Sequence, residues 1–251
     1  MDAGVFKIVY GRLGVGSVLD DFRSEFGIDL DTLKAILHQK IVRDTMHNHH
    51  KNRKQANLLL KRWNQGESIL EIAKAINFSP VMTAWLILEN QGVHRAQFRA
   101  MLRSPSRIQD KRLAKEITEA VKSDVVYSPE AIAGQAVRSK KVENAAREWL
   151  SKKKIDFIDE QEAKEKKHAK TPDFLLKRTF EHAGRKIQWV ECKASFGDEY
   201  ETQRDYKKQL KHYVDLYGPG LVVYWYGFVE GLELEGVSLV SAAFFNQKQA
   251  I

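Results

Sequence analysis

Cysteine is nearly absent: Cys192 is the only one in 251 residues. An internal disulfide is therefore excluded, and a reducing compartment fits. Long apolar runs are missing too. The longest, Leu221–Val229, falls far short of the ~20 residues that cross a bilayer as a helix. Nothing at the N-terminus reads as a signal peptide. The expectation is an intracellular protein with no membrane partner, cytoplasmic in a prokaryote and nuclear and cytoplasmic in a eukaryote. Gly/Ser-rich linkers and low-complexity tracts are lacking. Acidic residues are in deficit, 33 against 41 lysines and arginines, a net charge of +8. That imbalance favours a polyanionic partner. Hydrophobic content of 43% with 29% charged residues is that of an ordinary globular chain.

The first half reads as helical. Residues 5–15 are ambiguous and suit a short extended lead-in. Val18, Phe22 and Phe26 are spaced by four before Gly27 breaks the run. Asp29 or Asp31 caps a helix carrying Leu33, Ile36, Leu37 and Ile41. These two helices suggest a helix-turn-helix-like unit, and residues 66–89 suggest a second, with Ser79 as N-cap and Pro80 at the first helical position. A base-reading helix offers Arg, Asn, Gln or Lys at its N-terminal end. This one offers Pro80, Met82, Thr83 and Ala84, which favours packing or phosphate positioning over sequence readout.

Two basic zones flank that second unit. One holds Arg43, Lys51, Arg53 and Lys54 among four histidines without the carboxylate or Cys spacing of a metal site. The other places Arg95, Arg99 and Arg103 four apart, on one helical face. Each is either a solubilising surface or a track for a nucleic-acid backbone. Ser128-Pro129 starts another helix, and the boundary between a helical domain, 1–127, and a second domain, 128–251, falls there.

The second domain is organised around Thr171–Glu199. Phe174-Leu175-Leu176 and Ile187–Val190 are short apolar runs separated by Glu181–Arg185, a turn with Gly184 able to take positive φ. A turn centred near His182 sets Asp173 opposite Glu191, and directly opposed residues lie roughly 4.5–5.5 Å apart on one face. Alternation then puts Lys193 beside Glu191 and turns Cys192 away. Two carboxylates and an ammonium at one strand end suit a hard divalent cation and phosphodiester chemistry. Val142, Ala145, Ala146, Trp149 and Leu150 form an amphipathic helix with Glu143 at the edge of the stripe. Residues 155–158 read as a strand, 160–170 as a charged loop, 199–217 as a helix with Gln209 and Tyr213 four apart, 221–229 as a doubly buried strand and 237–240 as the last strand.

An Asp followed by Glu-x-Lys at a strand end resembles the PD-(D/E)XK nuclease superfamily. The wider set of TPDF at 171–174, W-x-E-x-KASFGDE at 189–199 and GPGLVVYWYGF at 218–228 resembles the TPD-motif family, that of the codanin-interacting nucleases. The resemblance is strong over 143–228 and looser over the helical half, with Cys192 standing where Ser is expected. It implies an α/β fold, a PD-(D/E)XK nuclease-like (restriction-endonuclease-like) core with a mixed central sheet flanked by helices, plus an all-α N-terminal domain containing helix-turn-helix units. It also implies Mg²⁺ or Mn²⁺ held by Asp173, Glu191 and the backbone carbonyl of Cys192. Lys193 would then orient water or stabilise phosphate charge. Glu143 is either an extra acid for the cation or a solvent-facing helical residue. Gln209-x-x-x-Tyr213 resembles a motif of RecB-like members that lies near the site and orients it or the DNA, with Tyr213 expected as a nucleic-acid contact.

The reading is a metal-dependent deoxyribonuclease, structure-selective rather than sequence-specific, with RNA not excluded as substrate. In a eukaryote the resemblance adds a codanin-like protein partner. The rival is a nucleic-acid-binding or protein-docking adaptor on a nuclease-like fold, and a weaker third is a transcriptional regulator using the helix-turn-helix units.

Overall fold

A computed structural model describes residues 1–246. It begins with a helix where an extended lead-in is expected: α1 (Ala3–Arg12). The Asp2 carboxylate accepts the Val5 amide at 3.0 Å, a local cap that the weak apolar pattern conceals. Helices α2 (Leu19–Phe26), α3 (Leu30–Lys54), α4 (Ala56–Asn64), α5 (Ile69–Ala75), α6 (Pro80–Glu89) and α7 (Arg95–Arg103) follow. After a 3₁₀ turn at Pro105–Arg107 come α8 (Lys111–Ser123) and α9 (Pro129–Lys152). Gly27 ends α2 at φ +66°, and Asp29, not Asp31, caps α3. Among the described residues no helix is long and apolar enough to cross a membrane.

The chain forms two compact units: Val9–Gln135, and Met1–Ile8 with the chain from Ala136 onward. The helical unit is built around α6. Pro80, Val81, Thr83 and Ala84 of α6 are all buried, so the end that would read bases is core. The N-terminal end of α6 is thus occupied by packing rather than left open as a reading surface. Two buried acids hold the unit together. Glu116 accepts from Trp63 Nε1 and the Ile69 amide, both at 2.9 Å, and from Arg112 Nε at 2.7 Å. Asp124 accepts from Ser79 and, at 3.0 Å, from the Val81 amide.

The other unit carries a five-stranded sheet in the order β1-β2-β3-β4-β5, with β1 (Phe157–Asp159), β2 (Phe174–His182), β3 (Arg185–Lys193), β4 (Gly220–Tyr224) and β5 (Val237–Val240). The first three strands are antiparallel, and β4 and β5 run parallel to β3. The α/β class and mixed sheet agree with expectation. One face packs Val190, Leu221 and Val223 against Ala146, Trp149 and Leu150 of α9. The other packs Trp189, Val222 and Tyr224 against Leu210 and Tyr213. Those two residues lie on a continuous helical segment made of α11 (Glu199–Asp205), a π-helical turn (Tyr206–Leu210) and α12 (Lys211–Tyr217). Between β1 and β2, the segment expected as a loop contains α10 (Glu160–Glu165), capped by the Asp159 carboxylate on the Glu162 amide at 2.9 Å. A 3₁₀ turn, Ala242–Asn246, follows β5.

Two local corrections matter for the site. The hairpin turn is Ala183-Gly184, with φ of +47° and +73°, so the chain reverses later than a centre at His182. An irregularity in β2 absorbs the difference: Leu175 pairs Trp189 and Phe180 pairs Ile187, five steps on one strand against two on the other. The doubly buried strand ends at Tyr224 rather than at Val229. Its first residue, Gly220, lies flush on the Trp189 indole, and a Cβ there would stand 2.0 Å from the ring. Trp189 Nε1 donates to the Gly218 carbonyl at 2.9 Å, which fixes the indole in place. The Gly220→Ala variant is expected to lose about 3 kcal/mol through overpacking, read as a lowered midpoint with unchanged slope in urea denaturation.

Candidate metal and phosphodiester site

The ladder of β2 and β3 closes with Phe174 opposite Val190, and the next step sets Asp173 against Glu191. Backbone and side chain cross-link there. The Cys192 amide donates to Asp173 Oδ2 at 2.7 Å, and the Asp173 amide donates to Glu191 Oε2 at 3.3 Å. Lys193 lies on the Glu191 side of the strand, its Nζ 2.7 Å from Glu191 Oε1. The Cys192 side chain faces the other way, into the core beneath α9. Burial pushes its thiol well above the ordinary cysteine value, so only its backbone is suited to a cation.

The two acids sit in the wrong environment for free carboxylates. Burial first, and the charge of Glu191 second, push Asp173 up to about 8. The charge of Glu143 adds to the same displacement. Glu191 is only 4% exposed, and burial raises its pKa even though Lys193 acts in the opposite sense. Burial alone would favour neutral Lys193, but the charge and hydrogen bond of Glu191 outweigh it and hold the ammonium above its ordinary value. The local balance is two destabilised carboxylates against one ammonium.

A divalent cation fits this deficit. The donors are hard oxygens, Asp173 has no basic side chain paired with it among the described residues, and both acids are displaced toward protonation by burial first, with the charge of Glu191 adding at Asp173. Among the described residues no three His, Cys, Asp or Glu side chains form a ready-made cage. Asp173, Glu191 and the main chain at Cys192 are the groups that would hold it.

Gln209 closes the site from the helical side. Its Oε1 accepts from Lys193 Nζ at 2.8 Å, while its Nε2 donates to Glu191 Oε1 at 2.9 Å and to the Tyr213 hydroxyl at 2.6 Å. The Lys193 ammonium thus gives two of its three hydrogens to Glu191 and Gln209. Tyr213, read from sequence as a nucleic-acid contact, is corrected here. It is 2% exposed, its ring lies edge-on to Trp189 at 5.2 Å, and its hydroxyl donates to the Thr171 carbonyl at 3.0 Å. It is a strut holding the Thr171-Pro172-Asp173 segment. Tyr217 does the same one turn on, donating to the Lys170 carbonyl at 2.6 Å. The sequence signal for both struts is the four-residue spacing from Gln209.

Glu143 is half-buried on α9, close enough for its charge to act on Asp173 and Cys192. The basic residues belong to the helical unit. Lys51, Arg53 and Lys54 are exposed in the last turn of α3, where cations suit the helix dipole, and Arg53 pairs with Glu89 at 3.1 Å. Arg43 is half-buried, its guanidinium 5.6 Å from the centre of the Tyr10 ring, so it packs more than it projects. Arg95, Arg99 and Arg103 are exposed along α7.

Residues 109–244, a span that holds Glu143, Asp173, Glu191, Lys193, Gln209 and Tyr213 but not the basic residues of the helical unit, match the model of a family described as "Protein of unknown function TPD sequence-motif". The chain is 36% identical over 172 residues to CDAN1-interacting nuclease 1 of Mus musculus and 34% identical over 172 residues to that of Homo sapiens. With the Danio rerio protein it shares 33% over 174 residues. The mouse and human matches cover 66% of this chain and 61% of the relative, and the zebrafish match 66% and 58%. The chain thus spans about three fifths of the length of these curated relatives. No solved structure matches. With a family match across more than half its length, and the motif residues gathered at one strand end, this chain belongs to the TPD sequence-motif family.

Proposed function

We propose that this chain is a Mg²⁺- or Mn²⁺-dependent nuclease that hydrolyses phosphodiester bonds of DNA, selecting structure rather than sequence. The observation that carries the reading is the Asp173–Glu191 pair, Glu191 buried and Asp173 half-buried, cross-linked through backbone amides and flanked by Lys193. The printed name of the relatives, a nuclease, supports it. That name also couples them to CDAN1, and a protein partner of that kind is part of the proposal.

A bound divalent ion would supply Lewis-acid polarisation of the phosphate and a more acidic water. The chain's own residues do the rest. Asp173 and Glu191 offer carboxylate oxygens from adjacent strands at a fixed register. Lys193 sets a compact positive charge against the oxygens on which charge builds. Gln209 holds both Lys193 and Glu191 in orientation, and Glu143 adds negative charge near Asp173. The exposed row on α7 suits a phosphate backbone, so binding should weaken steeply with salt. The buried N-terminal end of α6 supports selection by shape rather than by base sequence.

Two tests follow. A panel of single-stranded, duplex, flapped and four-way DNA, with matched RNA, should be cut only when Mg²⁺ or Mn²⁺ is added. Asp173→Ala and Lys193→Ala should each lose on the order of 10²–10³ in rate while keeping the wild-type circular dichroism. Cutting at the wild-type rate by either variant would remove these roles, and metal binding without cutting would favour an adaptor.

The second test is thermodynamic. The folded-state pKa of Asp173 stands above its ordinary value, so the metal-free fold holds this proton more tightly than the unfolded chain does. The acid therefore costs stability progressively as pH rises from ~4 to ~8, and fully above that. Asp173→Asn, which can still accept from the Cys192 amide, should melt higher than wild type in EDTA at alkaline pH. Added Mg²⁺ should raise the wild-type melting temperature and leave the variant's unchanged.

A further inference from the structure

The π-helical turn Tyr206–Leu210 interrupts the helix that carries Gln209, and the Lys211 amide reaches back to the Tyr206 carbonyl across it. Such turns insert one residue and concentrate at functional sites. Its effect here is geometric. In a straight α-helix, residues four apart drift by about 40°, so Asp205, Gln209 and Tyr213 would spread over about 80°. One inserted residue takes back about 100° and returns Tyr213 to within roughly 20° of Asp205. All three then face the sheet: Asp205 bonds Tyr224 of β4, Gln209 bonds Glu191 and Lys193 of β3, and Tyr213 bonds Thr171.

The residue just before the turn is fastened. Asp205 is 8% exposed, and its two oxygens have separate partners. Oδ1 accepts from Arg204 Nη2 at 3.0 Å, and Oδ2 accepts from the Tyr224 hydroxyl at 3.1 Å. Arg204 is in turn held by Glu201, its Nη1 donating to Oε1 at 2.9 Å. Tyr224 is fully buried and pairs with Lys193 across the parallel ladder. Its ring is pinned by Gly197, where a Cβ would come within 2.8 Å of it. The strand neighbour of Lys193 therefore also grips the helix that delivers Gln209 to Lys193.

We infer that Tyr224 and Asp205 form a latch: they are positioning residues that hold the π turn so that Gln209 engages Lys193 and Glu191. The effect on turnover rests on the nuclease reading, whereas the latch itself does not. Tyr224→Phe removes only the hydroxyl, and Asp205→Asn provides a second variant that keeps the side-chain shape. In hydrogen-exchange mass spectrometry without metal, both should exchange faster across 206–213, by about three- to tenfold, the worth of one hydrogen bond. Exchange in α9 should be unchanged. With the best substrate of the panel, kcat should fall by about three- to tenfold at unchanged KM. Tyr224→Phe should add nothing further in a Gln209→Ala background, because the latch acts through Gln209. Wild-type exchange across 206–213 in both variants would overturn the proposal, as would a loss that multiplies with that of Gln209→Ala. Faster exchange in a protein that cuts no substrate upholds the latch and removes the nuclease reading alone.

Discussion

Two carboxylates brought to one strand end, Glu191 buried and Asp173 half-buried, are an electrostatic liability, and the sheet-bearing unit is arranged around keeping them there. Asp173 and Glu191 meet because the β2–β3 register continues past Val190 and because each acid hydrogen-bonds main chain belonging to the other's strand. Hydrophobic burial of the surrounding sheet residues on both faces supplies the stability that offsets the repulsion. Both acids are displaced toward protonation, chiefly by burial, and the one ammonium beside them pairs with Glu191.

The neighbouring residues act on that pair in layers. Lys193 and Gln209 contact Glu191 directly. Tyr213 and Tyr217 tether the segment leading into Asp173 by its carbonyls. Trp189, seated on Gly220 and bonded to Gly218, keeps β3 and β4 close enough for Lys193 to lie beside Tyr224. Each layer restricts the freedom of the one inside it, which is how a short polar constellation stays ordered.

What was legible in the sequence follows from which signals are local. The facing of Asp173 and Glu191 came from the hairpin's symmetry, and the shared side of Lys193 and the opposite side of Cys192 from period-two alternation, and the structure has all three. The expected register survived although the turn was misplaced, because the β2 irregularity absorbs three residues that no local pattern announces. Helix α1 was missed because its cap, Asp2, precedes a segment with a weak apolar face. Tyr213 was misassigned because a tyrosine beside a basic motif looks the same whether its hydroxyl meets phosphate or a buried carbonyl. The π turn was invisible, since a stripe of residues four apart reads as α-helix and only the accumulated 40° drift betrays the extra residue. The two helices α5 and α6 fall where the sequence placed them, but burial of the second depends on contacts from α4 and α8 that spacing does not encode.

The account stands or falls on whether the acidic pair takes up a divalent ion. Titration of metal-free protein with Mn²⁺, followed by calorimetry and electron paramagnetic resonance, should show one saturable site that Mg²⁺ competes for. Glu191→Gln should lose it while retaining the fold. Equal Mn²⁺ binding by wild type and Glu191→Gln, or no saturable binding by either, would contradict it.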